Sequence, residues 1–171
     1  MPDEAHYNLS RALKSLKPKD KVPRSSRILD VWIVQAERNL NSDGGRLGWL
    51  IASTVVTAVL QQTLDGSNEP TFLLKGGSLL QHKFRAPTRT TTDVDGLVRG
   101  DIETFLAGLD VLLGKPWGPF EFQRGPIEVI EVPFKVIKPR RFQLFIRLNG
   151  QTWRKVQVEL SPDEGAAGSI S

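Results

Sequence analysis

The sequence contains no cysteine among its 171 residues. This absence excludes disulfides, zinc fingers, iron–sulfur clusters and a thiol nucleophile, and it is typical of a protein of the reducing cytoplasm. Long hydrophobic runs are also missing, because the most apolar segment, residues 47–60, is interrupted by Gly48, Ser53 and Thr57 and is shorter than the roughly 18 residues of a bilayer span. The first residues lack the apolar core of a secretory signal. We therefore expect a cytoplasmic protein that does not enter a membrane.

The chain has only a slight excess of positive charge. Its 23 Lys and Arg residues stand against 19 Asp and Glu residues, a formal net charge of +4, which is compatible with a polyanionic partner. The length fits one globular domain. We expect an N-terminal helix and a basic, proline-containing connector over residues 1–24, followed by one main domain over residues 25–171.

Apolar residues recur at helical spacing in the first part of the chain, and runs rich in Val, Thr, Ile and Phe dominate the rest. The pattern predicts helices over residues 5–16, 26–40, 46–64, 78–84 and 101–113, the last capped by Asp101, and strands over residues 71–74, 90–98, 120–122, 127–132, 142–148 and 156–160. The predicted fold class is therefore α+β, with the N-terminal helices first and a mixed β-sheet flanked by helices.

A glycine pair offers a site for phosphate. Gly76 and Gly77 follow a predicted strand and precede a predicted helix that opens at Ser78, so that free backbone N–H groups and the positive end of the helix dipole would converge there. The motif is not a Walker A loop, since Lys75 precedes the glycines instead of following them. A tight turn with a serine N-cap is the alternative interpretation.

Two carboxylates lie two residues apart in the next predicted strand. Asp93 and Asp95 would project from the same face of that strand, because side chains alternate between faces. Two close anions repel unless a cation compensates them, and Mg²⁺, or Mn²⁺ in its place, commonly does so together with substrate phosphates. The alternative is a pair of exposed aspartates at the end of a strand, before the turn at Gly96.

The glycine pair and the acidic strand together resemble the motif of the nucleotidyltransferase superfamily, and more closely that of the AbiEii/AbiGii-type toxin nucleotidyltransferases, which include the MenT toxins. Those proteins carry K-G-G-[ST]-x-L followed by R-x-[ST]-x-D-[ILV]-D. The matching residues here are Lys75, Gly76, Gly77, Ser78 and Leu80, and then Arg89, Thr91, Asp93, Val94 and Asp95. The segment over residues 26–40 is also similar to the region before the glycine turn in that family.

The resemblance implies an enzyme that transfers a nucleotide from an NTP to an RNA acceptor, the 3′ end of tRNA in the MenT group. It implies a toxin of a toxin–antitoxin or abortive-infection pair, with a cognate antitoxin protein as partner. By the same mapping Gly76, Gly77 and Ser78 hold the triphosphate, Asp93 and Asp95 hold the metal ion, and Lys75 and Arg89 neutralise phosphate charge.

In the nucleotidyltransferase superfamily a third carboxylate usually completes this site on a neighbouring strand, so the resemblance implies one here, and the pattern around Glu159 supplies a candidate. Val156, Val158 and Leu160 alternate with Gln157 and Glu159, so Glu159 faces away from the core and is predicted to activate the attacking hydroxyl or to complete the metal shell. A solvent-facing glutamate is the alternative.

Basic residues of the second half are candidates for phosphate contacts. Arg147 alternates with Leu144, Ile146 and Leu148 and is predicted to bind phosphate bidentately, with a surface position as the alternative. An RNA acceptor would be contacted by the lysines of the N-terminal connector and by Lys138, Arg140, Arg141, Arg154 and Lys155.

Two other functions stay open at this stage. The same triphosphate and metal chemistry serves modification of a protein side chain. The segment from Ser161 to Ser171 ends shortly after the last predicted strand, whereas relatives commonly continue into a helical C-terminal domain, so a truncated domain that only binds a nucleotide or an antitoxin is the second alternative.

Overall fold

A computed structural model describes residues 22–39, 46–75 and 93–163. The described helices are α1 (Ser26–Asn39), α2 (Arg46–Leu60) and α3 (Ile102–Leu113), and the described strands are β1 (Phe72–Leu74), β2 (Asp93–Val98), β3 (Phe120–Arg124), β4 (Glu128–Val129), β5 (Arg140–Leu148) and β6 (Gln151–Pro162). The α+β class and the order with helices first are confirmed. None of the described helices is both long and apolar enough to cross a bilayer.

All six described strands form one mixed sheet in the order β1-β2-β6-β5-β3, with β4 on the same edge of β5 as β3. The pairings are antiparallel except that of β2 with β6, which is parallel. Parallel neighbours cannot be joined by a tight hairpin. Here α3, β3, β4 and β5 all lie between β2 and β6 along the chain, so this central pairing is a long-range contact.

The two faces of the sheet differ in character because side chains alternate along each strand. One face is apolar and forms a single core with the three described helices, and its largest fully buried side chains include Phe72, Phe142, Leu144, Val158 and Leu160. The other face, which we call the open face, carries half-buried polar residues and is not part of that core. The predicted alternation of Val156, Val158 and Leu160 with Gln157 and Glu159 is confirmed.

The helix boundaries follow local hydrogen bonding. Predicted α3 is confirmed, and the carboxylate of Asp101 accepts from the N–H and the hydroxyl of Thr104, which lowers the pKa of Asp101. Because this folded-state pKa is depressed, the contribution of the cap to stability is present above the unfolded pKa and is lost as pH falls through the folded one.

Helix α2 ends at Leu60, four residues before the predicted end. The chain turns back there: Leu64 forms an isolated β-bridge with Pro70, and the carbonyl of Thr63 accepts both the N–H and the hydroxyl of Thr71. The prediction of a helix to residue 64 is therefore wrong, because this antiparallel contact replaces the last helical turn.

Strands β5 and β6 are longer than predicted, and the strand predicted over residues 127–132 is reduced to Glu128–Val129. Beyond Ile130, whose N–H donates to the carbonyl of Pro139, prolines at 133 and 139 lack the N–H that a ladder needs. The helices predicted over residues 5–16 and 78–84 lie outside the described residues, as do residues 90–92 of the predicted second strand.

A two-residue turn joins β5 to β6. Asn149 and Gly150 have φ values of 49° and 79°, which is the left-handed pair typical of a type I′ hairpin turn. A register shift then follows between Ile146 and Arg147, and Trp153 is the extra residue on β6. The indole N–H of Trp153 donates to Asp30 of α1 at 2.7 Å, so the irregularity is fixed against the helical layer.

Gly96 of β2 leaves room for an aromatic ring. Phe72 on β1 is fully buried, and a Cβ placed on Gly96 would lie 2.0 Å and 2.3 Å from two of its ring atoms and 2.9 Å from the carbonyl oxygen of Leu73. Phe72 also stacks on Phe105 of α3, with centroids 6.4 Å apart. The glycine therefore leaves room for the Phe72 ring between β2 and the helical layer.

Replacing Gly96 with Ala should lower the free energy of unfolding by about 1–3 kcal/mol, because the new methyl group displaces a buried ring that has no free space. Urea unfolding followed by tryptophan fluorescence measures the change. Gly66→Ala is the control, since nothing lies within 4 Å of its Cβ position, and it should shift stability by no more than about 0.5 kcal/mol. Equal losses in both variants would contradict the close packing.

Candidate active site

The three carboxylates singled out in the sequence lie on the open face of the sheet. Asp93 and Asp95 are both half-buried on β2, separated by the buried Val94. Glu159 is half-buried on β6, and the parallel register places it directly beside Asp95. Because neighbouring strands are about 4.8 Å apart, residues distant in the sequence form one local acidic group.

Charged residues follow one another across four strands at the level of Asp95. The N–H of Lys75 donates to the carbonyl of Asp95 at 3.0 Å, which extends the β1–β2 pairing by one residue. Asp95 pairs with Glu159, Glu159 with Arg141, and Arg141 with Glu128. We call Lys75, Asp95, Glu159, Arg141 and Glu128 the charged row.

The next row along the strands is acidic only at Asp93. Asp93 pairs with Gln157, and Gln157 with Gln143. The side-chain amide of Gln143 donates to that of Gln157 at 3.1 Å, so both amides are engaged with each other. Asp93 and Asp95, on the same face of β2, therefore lie beside polar side chains of β6 and β5.

Glu159 is held by an ion pair within the row. An Nη atom of Arg141 lies 3.4 Å from its carboxylate, and the two side chains are 38% and 34% exposed. Pairs with this exposure contribute about 0–1 kcal/mol to stability. The pair therefore orients Glu159 more than it stabilises the fold.

The carboxylates provide the oxygen ligands that Mg²⁺ prefers. Mg²⁺ is usually held by one or two carboxylates together with substrate phosphates and water, and Asp93 and Asp95 fit that arrangement because they share one accessible face. Among the described residues no group of three His, Cys, Asp or Glu side chains is arranged to hold a metal ion.

Of the segment around the predicted glycine turn, the structure describes only the preceding residue, Lys75. Gly76, Gly77, Ser78 and Arg89 lie outside the described residues, so their predicted phosphate contacts stay predictions. Lys75 is described, is exposed and lies opposite Asp95. Since it immediately precedes Gly76 in the sequence, the chain enters the glycine pair from a point next to the carboxylates.

Arg147 lies on the same face as Arg141 but at the far end of β5. The two residues are six positions apart, which corresponds to about 20 Å along a strand. Its guanidinium donates to the side chain of Gln123 at 3.0 Å and to the carbonyl of Gly150 at 2.6 Å. The structure therefore does not bring Arg147 together with the carboxylates.

Among the described residues, most of the basic side chains expected to contact RNA have acidic partners. Ion pairs join Lys138 to Glu131 at 2.7 Å, Arg140 to Glu103 at 3.0 Å and Arg154 to Asp30 at 3.7 Å. The guanidinium of Arg154 also lies 5.3 Å from the centre of the Trp153 ring. Lys155 is exposed. These cations have structural contacts, and a role in binding RNA stays a prediction.

The sequence predicts Arg141 only as an RNA contact, whereas the β5–β6 register places it beside Glu159. The signal that could have found it is the apolar spacing of β6. Trp153 and Val156 are both buried although they are three residues apart, and an odd spacing of this kind in a strand indicates a bulge.

No protein-family model matches the chain, and a search of curated proteins found no match.

Replacing Asp93 with Asn should raise the free energy of unfolding by up to about 1 kcal/mol when divalent cations are removed with EDTA. Asp93 adds to the negative charge of Asp95 and Glu159, and the variant relieves that repulsion. Thermal unfolding measures the effect. Added Mg²⁺ should then stabilise the wild type more than the variant, because a ligand of the native state shifts the folding equilibrium.

The control for this prediction is Glu103→Gln. It removes a carboxylate of α3 that forms an ion pair with Arg140 on β5. It should not gain stability in EDTA, and its response to Mg²⁺ should equal that of the wild type. A loss of stability in Asp93→Asn would show that this carboxylate stabilises the fold and would contradict a role in binding a cation.

Proposed function

We propose that the protein is a nucleotidyltransferase that transfers a nucleotide from an NTP to an RNA acceptor, with Mg²⁺ or Mn²⁺ as cofactor. The observation that carries the proposal is the charged row: it brings Asp95 beside Glu159 and places Lys75, the residue before the glycine pair, directly opposite Asp95. The resemblance in sequence concerns these same residues. The sheet order around β1, β2 and β6 supports a nucleotidyltransferase-like fold.

The reaction needs charge neutralisation and alignment more than covalent participation by the protein. An acceptor hydroxyl attacks the α-phosphorus, a new P–O bond forms, and the bond to pyrophosphate breaks. Asp93 and Asp95 would hold the divalent cation, and when bound, this cation neutralises triphosphate charge. Lys75 adds positive charge at the end of β1.

Glu159 is the group that we assign to the proton of the acceptor hydroxyl. It is half-buried on the open face and adjacent to Asp95, so a hydroxyl that approaches a nucleotide bound at the carboxylates would come within reach of its side chain. A carboxylate in this position accepts the proton as the P–O bond forms. The hydroxyl oxygen then carries the negative charge that attack requires.

The acceptor and the biological context rest on the resemblance to the AbiEii/AbiGii-type toxins. On that basis the acceptor is RNA, with the 3′ end of tRNA as the first candidate, the protein acts as a cytoplasmic toxin, and a cognate antitoxin neutralises it. The net charge of +4 is consistent with a polyanionic acceptor.

Purified protein incubated with Mg²⁺, each labelled NTP and total RNA should transfer label into RNA. The double variant Asp93→Ala, Asp95→Ala should lose at least about 100-fold of this activity, a loss of about 2.7 kcal/mol of transition-state stabilisation. Raising the salt concentration should reduce transfer to RNA steeply, because phosphate contacts release counterions.

Asp110→Asn serves as the matched control, because it removes an aspartate that pairs with Arg124 away from the charged row, and it should retain activity. Label in a protein band instead of RNA would replace the RNA acceptor with a protein side chain. Nucleotide-dependent stabilisation without any transfer would favour a domain that binds but does not react. Equal activity in the wild type and the double aspartate variant would overturn the assignment of the carboxylates.

A further inference from the structure

Arg141 is a charged residue of the open face to which the proposed function gives no role. It lies on β5 directly beside Glu159, on the side opposite to Asp95. The row thus has a cation at each flank of its two central carboxylates, Lys75 on one side and Arg141 on the other. A polyphosphate that is bound at the carboxylates and extends past them would therefore meet positive charge.

The contact between Arg141 and Glu159 is a loose one. It consists of one Nη–Oε distance of 3.4 Å. Arg124, by contrast, binds Asp110 in a bidentate manner, with N–O distances of 2.7 Å and 3.0 Å. This contact raises the pKa of Arg124. Among the described residues, Arg141 therefore makes one of the five hydrogen bonds that a guanidinium can donate.

A second feature points the same way. The Nε–H of Arg141 is buried and has no hydrogen-bond partner among the described residues, and the same holds for Arg147, whose two Nη atoms are however both engaged. A buried donor without a partner is energetically unfavourable, so a ligand that accepts from it gains binding free energy. The guanidinium has a planar fork of donors that matches phosphate oxygens.

We propose that Arg141 is the phosphate-binding arginine of this site: it positions Glu159 beside Asp95 when the site is empty and donates to the nucleotide's phosphates when substrate binds. The transfer of its donors to phosphate releases the carboxylate of Glu159 to accept the hydroxyl proton. The inference rests on the proposed function, and it gives to Arg141 the role that the sequence suggested for Arg147.

The test compares Arg141→Gln with the wild type in two measurements. The first is thermal stabilisation by Mg²⁺ with each of ATP, GTP, CTP and UTP. The second is steady-state transfer with the nucleotide that stabilises most. Loss of hydrogen bonds to a charged group should weaken nucleotide binding and raise KM by about 10- to 100-fold, and kcat should fall less than KM rises. Arg141→Lys, which keeps the charge but not the fork, should recover part of the affinity.

Arg124→Gln is the control for the loss of an arginine–carboxylate pair, since it breaks the bidentate contact with Asp110 and should leave KM unchanged. Glu159→Gln supplies an independent arm, because it removes the carboxylate that competes for Arg141. In EDTA, the affinity of Glu159→Gln for inorganic tripolyphosphate should rise several-fold, and this arm decides the question even if Arg141→Gln fails to fold.

Each outcome bears on one claim or both. If the wild type is stabilised by nucleotide and Arg141→Gln is stabilised equally, the role of Arg141 is wrong and the proposed function stands. A loss of affinity confined to Arg147→Gln would give the role back to Arg147 and overturn the inference. If Glu159→Gln binds tripolyphosphate no better than the wild type, the competition between carboxylate and phosphate is absent. If no NTP stabilises the wild type, the proposed function and the inference fall together.

Discussion

The parallel pairing of β2 with β6 is the interaction on which the candidate site depends. It aligns Asp95 with Glu159 and Asp93 with Gln157, although the residues of each pair are 64 positions apart in the sequence. Closing so long a segment costs entropy that only tertiary packing offsets. The buried sides of the same strands, among them Val94 and Val158, provide that packing, so the core that holds the strands together also sets the alignment of the carboxylates.

The bulge at Trp153 decides which arginine joins this alignment. From the turn at Asn149 and Gly150, a straight ladder would place Arg140 opposite Glu159, and the extra residue on β6 shifts the partner to Arg141. The shift also keeps Trp153 and Val156 on the helical side of the sheet. Apolar burial therefore fixes a polar contact on the other side, since one residue of slip moves every side chain to the opposite face.

Local patterns in the sequence predicted much of this arrangement. The contacts between distant segments could not be predicted from them. Helical spacing and an N-cap gave α1 and α3, and alternation placed Asp93, Asp95 and Glu159 away from the core. Strand order and register depend on contacts between distant segments, so the sequence alone did not reveal that Arg141, and not Arg147, lies beside Glu159. The early end of α2 has the same origin, because Leu64 is drawn into a bridge with Pro70.

The length of β1 has a dynamic consequence. It has only three residues, and among the described strands it pairs with β2 alone, whereas β5 lies in the longest ladder of the sheet. Short, singly paired segments open locally at lower free energy than central ones, so amide protons near Leu74 exchange with solvent sooner than those near Leu144. The charged row consequently has a weakly paired end at Lys75, which opens at lower free energy, and a firmly paired end at Arg141.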